Sequence, residues 1–291
     1  MITVIKLNFE PIMEKQINFI AIDSKVTLAY QLINKQNWVN PLLVFLHEGL
    51  GSIAQWKKFP EMLCNTINLD GLVYERYGYG HSTSLQEERT SDYLDVEGKY
   101  FLPKLIENLQ LSNRELILVG HSDGASIALI YASLFPKNIK MVVSMAAHVF
   151  NEQISVDSII KLKSEYQSNE KLKKSFERYH FDHTDSTFYA FANTITHPSF
   201  KDWNIEHYLP QITAPIFAIQ GFDDEYGTEL QVDAIVNKSP NKQNSKLMIE
   251  DCGHSPHLQM QTLVVSKIVE FYTKITSSTI KNEKQHEQPT L

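Results

Sequence analysis

Residues 117–125 read I-L-V-G-H-S-D-G-A, an apolar run that stops at Gly120-His121-Ser122-Asp123-Gly124. A serine hydroxyl becomes a nucleophile when an imidazole takes its proton and a carboxylate orients that imidazole. Both partners lie further along the chain. The apolar run P-I-F-A-I-Q ends in Gly221-Phe222-Asp223-Asp224-Glu225, and the run after it leads into Asp251-Cys252-Gly253-His254. Ser122, Asp224 and His254 are read as nucleophile, orienting acid and general base. Asp223 is the competing acid, because one residue of register decides which carboxylate meets the imidazole. His257 is the competing base. His121 is read as packed beside the serine, and His47 and His81 as loop anchors.

The same chemistry needs N–H donors for a developing oxyanion. The backbone of Asp123, next after the serine, supplies one. The loop His47-Glu48-Gly49-Leu50-Gly51-Ser52 offers Gly49 or Leu50 as the second, with its glycines allowing close backbone approach.

These loops must sit at the ends of strands. Residues 17–22 and 27–33 read as an opening hairpin. L-L-V-F-L, L-V-Y-E-R-Y, E-L-I-L-V, M-V-V-S-M-A-A-H-V, P-I-F-A-I-Q and S-K-L-M-I-E read as further strands, several apolar throughout and so buried on both faces. Helical stripes lie between them: Trp56, Phe59, Met62, Leu63 and Ile67; Phe101, Leu102, Leu105, Ile106 and Leu109; Ser122 to Phe135; and Val264, Ile268, Phe271 and Ile275. Strands alternating with helices imply an α/β fold with a mostly parallel eight-stranded sheet covered on both faces. Residues 150–210 break the alternation and read as a helical cap, leaving 15–149 and 211–275 as the core. Phe150, Phe188 and Trp203 of the cap, with His148 before it and Glu48 opposite, are expected to line a substrate pocket. Residues 276–291 read as a polar, disordered tail.

Composition narrows the partners. Among 291 residues, 27 Lys and Arg against 34 Asp and Glu give a formal net charge of −7. With no basic block, neither nucleic acid nor an anionic membrane surface is expected as a partner. No apolar run is long enough to span a bilayer, and the first residues lack a signal-peptide pattern, so the expectation is a cytoplasmic protein, monomer or homodimer, with a small-molecule substrate. The two cysteines, Cys64 and Cys252, read as buried thiols. No metal or organic cofactor is implied.

The motifs H-E-G-L-G-S, Y-G-Y-G-H-S, G-H-S-D-G, G-F-D-D-E and G-H-S-P-H, in this order and spacing, resemble those of capped α/β-hydrolases over residues 15–275. Within that fold the chain is most similar to the biphenyl-hydrolase-like, valacyclovir-hydrolase-type enzymes that cleave α-amino-acid esters. The resemblance implies a serine hydrolase acting on a small carboxylic ester. The alternatives it carries are a C–C bond hydrolase of ring-fission diketo acids and a non-catalytic small-molecule receptor. Dehalogenases and epoxide hydrolases of this fold use an aspartate where this chain has Ser122. Two departures stand out: Glu48 follows His47 where the family has glycine, and in Glu75-Arg76-Tyr77-Gly78 a tyrosine holds the usual arginine position.

Asp123 carries two readings. An acid in the first turn of a helix is favoured by the helix dipole. In the resembling hydrolases an aspartate here is implied to bind the substrate's α-amino group. A carboxylate so close to an oxyanion disfavours the transition state unless a positive group offsets it, so a cationic substrate, or a histidine such as His148, is the expected partner.

Overall fold

The computed structural model describes residues 16–34 and 41–286, the side chains of 278–286 excepted. The first residue of the expected core, 15, and residues 287–291 lie outside them. Eight strands form one sheet: β1 (Asn18–Ala21), β2 (Thr27–Ile33), β3 (Leu42–Leu46), β4 (Gly71–Tyr74), β5 (Leu116–His121), β6 (Ile139–Met145), β7 (Ile216–Gly221) and β8 (Ser245–Ile249). Their order is β1-β2-β4-β3-β5-β6-β7-β8. The β1–β2 and β2–β4 pairs are antiparallel and every other pair is parallel.

The helices are α1 (Phe59–Ile67), α2 (Tyr93–Val96), α3 (Leu102–Asn108), α4 (Asp123–Leu134), α5 (Gln153–Ser168), α6 (Glu170–His180), α7 (Thr184–Thr196), α8 (Glu229–Lys238), α9 (Pro256–Gln259) and α10 (Gln261–His286). A π-helical turn, Glu97–Phe101, joins α2 to α3. Every residue of β3, β4, β5 and β7 is buried, as both-face coverage requires. Alternate side chains enter two cores. Leu42, Val44 and Leu46 pack with Ile127 and Leu129 of α4, whereas Leu43 and Phe45 pack with Phe59 of α1 and Ile268 of α10. Helix α4 is buried from Asp123 to Ser133, which explains why its sequence is apolar on every face apart from Asp123 and two small serines, Ser126 and Ser133.

Three boundaries differ from the sequence reading. β4 stops at Tyr74, because the Glu75 carboxylate binds the backbone N–H groups of Ile53 and His81 and the Arg76 N–H donates to His47. β6 stops at Met145, where Ala146 takes a φ of 50°. The expected disordered tail is helical as far as His286: no Gly or Pro interrupts Gln261–Gln288, so each added residue extends a helix already nucleated on the core. Helix α8, absent from the sequence reading, is the crossover that the parallel β7–β8 pair needs.

Candidate active site

The reversal from β5 to α4 takes place at Ser122, whose φ of 53° and ψ of −121° are strained for any residue but glycine. Its N–H donates to Met145 O at 2.9 Å, which anchors the turn to β6. The glycines on either side have a steric reason. A Cβ on Gly124 would lie 1.9 Å from Leu46 O, and one on Gly120 would lie 2.4–2.5 Å from the Ala125 backbone. Ser122 Oγ forms no hydrogen bond among the described residues and opens on a cavity that His254 also lines.

His254 lies after β8 and Asp224 after β7. His254 Nδ1 lies 2.8 Å from Asp224 Oδ1, which also accepts the Tyr226 N–H at 2.9 Å. Burial alone would raise the Asp224 pKa, but the hydrogen bond and charge of His254, together with the Tyr226 N–H, outweigh it and hold the carboxyl below its ordinary range. Burial likewise works against a charged His254, and Asp224 reverses it, leaving the imidazole pKa above its ordinary value. With Nδ1 committed to a carboxylate, Nε2 is the nitrogen left for the cavity. Asp223 is exposed. His257 is buried against Trp56 and His121, and its burial keeps it neutral. His121 is bonded through Nε2 to His254 O at 2.7 Å. His47 and His81 hold loop positions, against Arg76 and Glu75 respectively.

Gly49, Leu50 and Asp123 line the cavity, and among the described residues none of their N–H groups donates to a backbone carbonyl. The side chain of Asp123 corrects an expectation. Its positive partner belongs to the protein: Asp123 Oδ2 accepts from Arg76 Nη2 at 3.2 Å and from Tyr93 Oη at 3.0 Å. Arg76 was missed as a functional candidate because the strand was expected to run through it. The available signal was a cation directly after an apolar run, which burial obliges to find an acid.

The cavity has a volume of about 120 Å³. Phe150, Trp203, His148 and Glu48 contribute to its wall. Phe188 does not: it stacks on Tyr166 with ring centroids 3.6 Å apart, inside the helical layer of α5–α7. Phe191 and Ile195, further along α7, are the residues that reach the cavity. Burial, with His254 nearby, lowers the His148 pKa to about 4, so it is a neutral wall residue. Glu48 Oε2 lies 3.4 Å from His121 Nδ1. Buried His180 of α6 fastens the helical layer to the core. Its Nε2 meets Leu50 O at 3.1 Å and its Nδ1 accepts the Gly80 N–H at 3.2 Å. Both cysteines are buried and free. Among the described residues no helix is long and apolar enough to cross a membrane.

This arrangement of a strained serine, a carboxylate-bound imidazole and free N–H donors lies at the strand ends of a mostly parallel sheet. Residues 41–194 match the sequence model of the alpha/beta hydrolase fold, and the chain belongs to that family. It is 24% identical over 256 residues to an esterase/lipase-like protein of Mycoplasma genitalium, covering 79% of this chain and 88% of that one. It is 28% identical over 195 residues to the serine hydrolase BPHL of Homo sapiens, covering 65% of this chain and 64% of that one. A carboxylesterase structure from Nitrososphaera gargenis superposes with a TM-score of 0.73 at 16% identity, over 90% of this chain and 100% of that one, a likeness of fold.

Proposed function

We propose that the chain is a serine hydrolase that cleaves a small carboxylic ester through an acyl-enzyme. The 2.8 Å His254–Asp224 bond beside a cavity that also holds Ser122 carries this reading. His254 Nε2 takes the Ser122 proton as Oγ attacks the ester carbonyl carbon. The resulting oxyanion is held by the N–H of Asp123 and that of Gly49 or Leu50. Collapse breaks the C–O bond, and the departing alcohol leaves with the proton from His254. Water, deprotonated by His254, then attacks the acyl carbon, releasing the acid and returning the proton to Ser122. The aromatic wall excludes bulk water and strengthens each of these electrostatic contacts. Its small volume supports short acyl groups.

A base must be neutral to work. Because Asp224 raises the His254 pKa, kcat/KM is expected to fall, as pH is lowered, around a midpoint above the ordinary imidazole value of about 6.5. Stability runs the other way over this window. A group whose pKa is raised on folding contributes fully below its unfolded value and loses that contribution as pH rises through the folded one. Asp224, lowered on folding, contributes above its unfolded pKa and loses it as pH falls through the folded value. A pH–rate profile beside a pH series of Tm separates the two trends. A midpoint below the ordinary value would contradict the His254 assignment.

An amino-acid ester is the second reading. The resemblance to BPHL and the carboxylates of Glu48 and Asp123 in the cavity wall favour it. The pairing of Asp123 with Arg76 and Tyr93 argues against a strong amine preference, because the carboxylate already has its cation. Comparing kcat/KM for a valyl ester and its matched ester lacking the amine, with Ser122→Ala as blank, decides between them. A preference below about tenfold, or 1.4 kcal/mol, is expected. A larger one would make the amine part of the substrate. If neither ester turned over while a diketo acid did, or a ligand raised Tm without turnover, the ester reading would give way to C–C cleavage or a receptor.

A further inference from the structure

We propose that Arg76 is the positioning residue of the oxyanion hole: one buried guanidinium nitrogen clamps the Glu48–Gly49 peptide of one arm and offsets the carboxylate of Asp123 beside the other. The proposal rests on the serine-hydrolase reading above. Arg76 Nη2 donates to Glu48 O at 2.7 Å and to Asp123 Oδ2 at 3.2 Å. The first acceptor belongs to the peptide whose N–H is that of Gly49. The second belongs to the residue whose N–H is the other donor.

A trans peptide is planar, with its C=O and N–H pointing in opposite directions. Glu48 O is turned toward the protein by three donors: Arg76 Nη2, His47 Nδ1 at 2.8 Å and the Gly51 N–H at 3.1 Å. The Gly49 N–H must therefore point away from them, and Gly49 lines the cavity. His47 is itself aimed by Arg76, whose backbone N–H donates to His47 Nε2 at 3.0 Å and so leaves Nδ1 as the donor toward Glu48 O. Burial and the nearby Arg76 charge keep His47 neutral, as that tautomer requires.

An arginine suits this task. Its charge persists although the side chain is fully buried, and its guanidinium also lies 4.5 Å from the Tyr79 ring centroid. A cationic donor on Glu48 O polarises the peptide and strengthens Gly49 as a hydrogen-bond donor. The same cation neutralises Asp123, whose charge would otherwise oppose the oxyanion. Clamping the peptide and neutralising the acid are separable effects, and the test separates them.

Arg76→Gln is to be made in the wild-type chain and in Asp123→Asn, with kcat, KM and amide hydrogen exchange of residues 47–52 measured for all four proteins. The clamp predicts that Arg76→Gln lowers kcat by about tenfold or more on both backgrounds, less than the loss of a whole oxyanion donor. It also predicts KM within about twofold, because a misaimed donor costs transition-state binding, and faster exchange in 47–52. No loss of kcat on the Asp123→Asn background would overturn the clamp and leave Arg76 a counter-ion. If Arg76→Gln does not fold, Arg76→Lys takes its place. It keeps the charge and loses the guanidinium's reach, so full kcat with unchanged exchange in 47–52 overturns the proposal. If the wild-type chain hydrolyses no ester, the functional reading fails, and the exchange of 47–52 alone judges the clamp.

Discussion

Ser122→Ala is expected to lower kcat for ester hydrolysis by about 10⁴-fold or more while leaving Tm within a few degrees of wild type. The size of the loss comes from the mechanism: without Oγ no acyl-enzyme forms, and His254 has no nucleophile to deprotonate. The unchanged stability comes from the structure. Ser122 Oγ has no hydrogen-bond partner among the described residues, so its removal orphans no buried group. Alanine meets the same cost of a φ of 53° that serine already meets. Ser122→Gly would be equally inactive and more stable, because glycine relieves that strain. Purified Ser122→Ala assayed against an activated short-chain ester, alongside a melting curve, checks both halves. Retained turnover would remove Ser122 from the chemistry, whereas lost turnover with a collapsed Tm would say nothing specific about the hydroxyl.

Asp224→Asn carries the second large effect, a fall in kcat of about 10³- to 10⁴-fold. The carboxylate accepts from His254 Nδ1 at 2.8 Å, so Nδ1 carries the proton and Nε2 keeps its lone pair. An asparagine amide can donate to Nδ1 instead, which moves the ring proton to Nε2 and leaves no base facing Ser122. Loss of the negative charge also removes the cause of the raised His254 pKa, so residual activity should persist to lower pH than in wild type. Asp223→Asn is the matched control. Asp223 is exposed and its N–H is tied to Cys252 O, so its rate should stay within about twofold. If Asp223→Asn were the damaging change, the orienting acid would be misassigned.

Much of this site was legible because sheet strands end where chemistry is placed. Apolar runs of five or six residues mark strands buried on both faces, and in a parallel sheet the loops leaving their C-terminal ends fall at one edge. That rule places Ser122 at the same edge as Asp224 and His254, which lie more than a hundred residues further along the chain. It also frames the choice between Asp223 and Asp224, of which Asp224 is the one bonded to His254. The Arg76 pairings were not legible. They join residues 28 and 47 positions apart through side-chain reach, and no periodicity encodes that. The need for a cation beside Asp123 could be argued from charge alone, but the cation was sought in the substrate or in His148. Phe188 fared differently. It shares a helical stripe with Phe191 and Ile195, yet only the far end of α7 reaches the cavity, because Tyr166 and Phe176 cover the near end. Helix α8 could have been inferred from topology, since two parallel neighbours need a crossover between them.

The central claim is a covalent acyl group on Ser122. The most direct measurement is acid quenching of the wild-type chain milliseconds after mixing with an activated short-chain ester, then peptide mapping by mass spectrometry. The mechanism predicts one acylated peptide, with the acyl group on Ser122, forming in a burst and absent from Ser122→Ala. Ester turnover with no acyl group on Ser122, or with the group on another side chain, would contradict it.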